Sequence, residues 1–107
     1  MRPVIYGYMR LGGNGEEEGE SRVVEDELGH HADREGFFLE RVFMEHLRSS
    51  EHSFQSMVDA LRRSDVKNVI VPSLWHFARL PGLQDAMRQH IERELGARLW
   101  VVQGAHR

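Results

Sequence analysis

Four short apolar runs punctuate the chain, at residues 4–9, 37–44, 68–72 and 98–103. Each is rich in β-branched or aromatic residues and too short for a packed helix, so each reads as a strand. The segments between them have helical period. Residues 21–35 place Val24, Leu28, His31 and Ala32 on one face, with Gly36 set to close the helix in a left-handed conformation. Gly29 costs this helix about 1 kcal/mol relative to alanine, so packing must hold it in place. Residues 53–64 space Phe54, Met57, Val58 and Leu61 at i, i+3, i+4 and i+7, behind Ser53 as a cap. A third helix starts near Leu80 and Pro81, carries Leu83, Ala86, Met87, His90, Ile91 and Leu95 as its stripe, and ends at Gly96. The order β-α-β-α-β-α-β predicts one α/β domain over residues 1–107. It has three layers: a mainly parallel sheet of four to five strands with helices on both faces, in a flavodoxin-like topology. The unbroken apolar run Val69-Ile70-Val71 is what a sheet covered on both faces requires.

Composition narrows the chemistry. The chain has no cysteine, which excludes a disulfide scaffold, a cysteine nucleophile and a thiolate metal site. Its formal charge is −3, which argues against DNA binding by this chain alone. Protonation of all seven histidines would carry that charge past zero to +4. Lys67 is the only lysine, and arginine supplies the other cations; that bias fits a high-GC bacterial genome. No signal peptide or membrane-length apolar run is read in the sequence, so the expected location is the cytoplasm.

In an open α/β sheet, ligands bind beyond the carboxyl ends of the strands. Three loops matter on that rule: residues 10–20, 45–52 and 73–79. The first contains residues 12–20, with four Gly and four Glu in nine positions, and is expected to be a flexible, acidic loop. Gly12, Gly13 and Gly15 match neither common phosphate-loop spacing, and the neighbouring glutamates repel a phosphate. The pairs His30-His31, Glu45-His46 and Glu51-His52 invite a metal, but no spacing converges three ligands, so no metal and no cofactor is expected.

The loop residues resemble a known family. Ile5-Tyr6-Gly7-Tyr8-Met9-Arg10-Leu11 is similar to the first strand of serine recombinases of the resolvase/invertase type, with its Tyr-x-Arg-Val-Ser signature. Residues 69–79, from Val69-Ile70-Val71-Pro72-Ser73 through Leu74-Trp75-His76-Phe77-Ala78-Arg79, resemble the family's third strand and the Leu-Asp-Arg-Leu-Ser-Arg element after it. Phe54-Gln55-Ser56-Met57 fits the start of the intervening helix. The resemblance spans nearly the whole chain and implies a resolvase-like catalytic fold. In that family a serine hydroxyl attacks a DNA phosphodiester while arginines stabilise the phosphate charge.

Carried over position by position, Tyr8, Arg10 and Arg79 match the family. The nucleophile position falls on Gly12, an arginine position on Glu51, and the aspartate and first arginine of the third element on Trp75 and His76. The chain also stops before the family's long helix and its DNA-reading domain. The resemblance therefore implies a domain without catalytic activity, a pseudoenzyme that acts as a regulator by binding another protein or by forming a homodimer. Trp75 and Phe77 are its candidate interface. Two alternatives stand beside this expectation. One is a residual enzyme acting on phosphodiesters through Ser73 or His76. The other is a sensor of small anions or nucleotides, with Arg10 and Arg79 lining the pocket.

Overall fold

The computed structural model describes residues 2–11, 17–46, 53–73 and 81–102. Strand β1 (Val4–Leu11) leads to helix α1 (Glu17–Arg34), then to β2 (Phe38–His46), α2 (Ser53–Arg63) and β3 (Asn68–Val71). Helix α3 (Pro81–Gln89) continues as a wider π-helical turn (His90–Glu94) before β4 (Arg98–Val101). Among the described residues the four strands form one sheet in the order β2-β1-β3-β4, and every neighbouring pair is parallel.

The sheet is covered on both sides, so alternate residues of one strand enter different cores. Tyr6 and Tyr8 of β1 pack with Phe43, Val69, Val71 and Leu99 against Met57 and Leu61 of α2 and Ile91 of the π turn. Ile5 and Ile70 face the other way, against Leu28 and Ala32 of α1. The three layers and the strand boundaries thus follow the apolar runs, and the helical stripes of α1 and α2 fall where their periods put them. Gly36 and Gly96 both adopt positive φ, +88° and +65°, and end their helices as glycine can without strain.

Two helices differ from the sequence reading. Helix α1 starts at Glu17, not at residue 21, so residues 17–20 of the expected flexible loop are helical. Glutamate is a good helix former, and carboxylates in a first turn meet the positive end of the helix dipole. The rest of that loop, residues 12–16, lies outside the described residues. The third helix does not hold a uniform period. Leu95 donates its amide to the His90 carbonyl, five residues back, and a π turn of this kind shifts the face of a helical stripe. Ile91 is fully buried, whereas Leu83 stays 50% exposed and Ala86 is exposed as well.

Two glycines near Leu39 test the packing in opposite directions. A Cβ on Gly7 would sit 3.2 Å from both Leu28 Cδ1 and Val42 Cγ2, so Gly7→Ala overpacks the α1 face and is expected to cost about 1–3 kcal/mol. A Cβ on Gly29 meets only Leu39 Cδ2, at 4.0 Å. Gly29→Ala is expected to raise stability by up to about 1 kcal/mol. Urea unfolding of the two variants measures both signs.

Candidate functional site

The carboxyl ends of β1 and β2 carry the polar residues of the sheet's upper edge. Arg10 is paired directly with Glu45 in the strand register, and Tyr8 with Phe43. Tyr8, Arg10 and Glu45 therefore share the face that α2 covers, because side chains two apart on a strand point the same way. Tyr8 is buried, and its hydroxyl makes a long hydrogen bond, 3.4 Å, to Glu45 Oε1. Its ring meets Phe54 edge-on, with centroids 5.5 Å apart.

Glu45 also joins the next helix. The same Oε1 accepts the backbone N–H of Phe54 at 3.2 Å, so a carboxylate from β2 takes up one of the donors that the start of α2 leaves open. The Ser53 hydroxyl instead donates to the carbonyl of Met44. The cap expected of Ser53 is thus supplied by Glu45, and Ser53 ties the helix start back to the strand. This part of the site is missing from the sequence reading. Glu45 stood out there only as half of a Glu-His pair, and its actual partners lie 37 and 9 residues away. No group of three or more metal-ligating side chains occurs among the described residues.

The electrostatics follow from this geometry. Burial, first of all, raises the Tyr8 pKa well above the usual tyrosine range; the Glu45 carboxylate raises it further, and the Arg10 guanidinium pulls it partly back. Tyr8 is therefore a neutral hydroxyl, a donor and not a nucleophile, across ordinary pH. Arg10 is partly buried beside it. Two residues past β3, Ser73 has a buried Oγ with no hydrogen-bond partner among the described residues. The β1–β3 register pairs Tyr6 with Val69 and Gly7 with Ile70, and β3 ends at Val71, two residues before Ser73. A guanidinium at a sheet's carboxyl edge is suited to an oxyanion such as a phosphate.

Of the residues singled out in the sequence, the structure brings Tyr8 and Arg10 together. Gly12, Glu51, Trp75, His76, Phe77 and Arg79 lie outside the described residues.

No family model and no curated protein matches the sequence. Solved structures do match. The C-terminal catalytic domain of ISC1926 TnpA, an IS607-like serine recombinase, superposes with a TM-score of 0.77 at 15% identity, over 97% of this chain and 70% of that one. A resolvase family site-specific recombinase from Streptococcus pneumoniae gives 0.76 at 20% identity, over 94% and 72%. The N-terminal catalytic domain of TP901-1 integrase gives 0.73 at 12%, over 92% and 76%. The chain has the fold of a serine recombinase catalytic domain. This bears out the fold that the Tyr8–Arg10 strand and the residue 69–79 segment imply.

The same finding corrects the expectation that this recombinase-like domain is not an enzyme. Its structural neighbours are catalytic domains, and nothing in the structure shows this one to be inactive. No helix among the described residues is long and apolar enough to cross a membrane.

The Tyr8 environment predicts an alkaline limit to stability. The phenol is held neutral in the fold while the unfolded chain ionises it near its ordinary value of about 10. The stabilisation is complete below that pH and is lost as pH rises towards the raised folded value. Denaturant midpoints across this range should fall more steeply for the unaltered protein than for Tyr8→Phe.

Proposed function

We propose that this domain acts on the phosphodiester backbone of DNA, with Arg10 as the residue that binds the phosphate. The observation that carries the reading is the placement of Arg10 at the carboxyl end of the central strand. There it stands beside the neutral Tyr8 hydroxyl and opposite Glu45 in register, in a fold whose solved examples include serine recombinase catalytic domains. Attack of an oxygen on phosphorus, with a strand oxygen leaving, builds negative charge on the phosphoryl oxygens. A fixed guanidinium stabilises that charge best when it needs no rearrangement.

Position 12 is glycine and supplies no attacking hydroxyl. Ser73, two residues past the end of β3, is the hydroxyl we assign to that part. Its Oγ is committed to no other group among the described residues. Glu45 acts as a positioning residue: it fixes the end of β2 to α2 and accepts the Tyr8 hydroxyl.

Incubation with supercoiled plasmid tests the reading. Conversion to nicked or linear DNA is expected, and Arg10→Ala should slow it by about 100-fold or more, the scale set by removal of one charge-stabilising group. Absence of strand cleavage, or cleavage untouched by Arg10→Ala, overturns the proposal. Cleavage that survives Ser73→Ala but not Arg10→Ala keeps the phosphate site and removes Ser73 from its assigned part.

A further inference from the structure

In a parallel α/β sheet the amino ends of the strands and the carboxyl ends of the helices share one edge, opposite the edge that holds Arg10. A depression of about 300 Å³ lies on this far edge, between the segments that enter β1 and β3. Pro3, Val4 and Val66 provide apolar lining, and Arg2, Lys67 and Asn68 provide polar lining, together with the carboxylate of Asp65. The volume is at the lower end of the range for small-molecule sites.

The walls are pinned. The Pro3 carbonyl accepts the Phe38 amide at 2.9 Å, and the Lys67 carbonyl accepts the Arg98 amide at 2.8 Å. The Val66 amide donates to Ser64 Oγ. Asn68 Oδ1 accepts the indole N–H of Trp100 at 3.1 Å, which leaves the amide nitrogen of Asn68 as a donor. Arg2 is bridged to Asp33, so of the two cations lining the depression Lys67 has the freer charge.

The apolar lining and the Lys67 ammonium together ask for one kind of occupant. We infer that this depression binds a small molecule carrying an anionic group, carboxylate or phosphate, on a compact apolar body, with the Lys67 ammonium as its counter-charge. The site stands apart from the phosphodiester site and does not depend on it.

Amide NMR on the ¹⁵N-labelled protein tests this with three probes of one shape: phenyl phosphate, phenylacetate and neutral benzyl alcohol. Saturable shifts at the amides of Val4, Val66, Lys67 and Asn68 are expected with at least one anionic probe, and the better of the two identifies the headgroup. Lys67→Gln should weaken that binding at least fivefold while Lys67→Arg retains it. Lys67 is exposed, so neither change threatens the fold. The inference is overturned if neither anion gives saturable shifts at these amides, if benzyl alcohol binds as well as the anions, or if Lys67→Gln binds as tightly as the unaltered protein.

Discussion

Everything in this molecule leans on β1, an inner strand paired with β2 along its whole length and with β3 over its middle. Its residues from Ile5 to Met9 are buried, on one face by α1 and on the other by α2 and the π turn. A strand confined in this way cannot carry charge within its length without a large desolvation cost. Arg10 is the first position at which the cores release the chain, and that is where a cation stands. The burial that forms the core therefore also fixes where a site can be.

Glu45 turns that position into an arrangement. One carboxylate oxygen takes the Tyr8 hydroxyl and the Phe54 amide in the first turn of α2, while Ser53 binds the Met44 carbonyl. Strand β1, strand β2 and helix α2 are thereby joined at their polar ends, above a core that already joins them through Tyr8, Phe43 and Met57. A capping interaction of this sort contributes about 1 kcal/mol. Its larger effect is geometric, since it sets Tyr8 against one fixed acceptor beside Arg10.

The sequence shows some of this and hides the rest, for physical reasons. Strands are legible because Val69-Ile70-Val71 and its counterparts must be apolar on both faces. Helix α2 is legible because Met57, Val58 and Leu61 are all buried at the spacing their period predicts. The start of α1 is misread because glycine and glutamate together look like a solvated loop, whereas glutamate alone favours a first helical turn. The π turn leaves no mark, since insertion of one residue changes hydrogen bonding and not composition, and so Leu83 is assigned to the core when it lies outside. The work of Glu45 is hidden because it depends on partners brought together only by the sheet. The far-edge depression is hidden for the same reason: residues 2–4 and 65–68 meet only when β1 and β3 pair. Tyr8 and Arg10 are visible early because a strand signature is local.

The central question is whether Arg10, held at the end of β1, receives a phosphate. The Nε–H signal of Arg10, followed by NMR during titration with a short DNA duplex, answers this directly. A saturable shift of that signal is expected, one that weakens as salt is raised and is reduced in Glu45→Ala. A signal that does not move while DNA is added in excess, or that moves equally in Glu45→Ala, would contradict this reading.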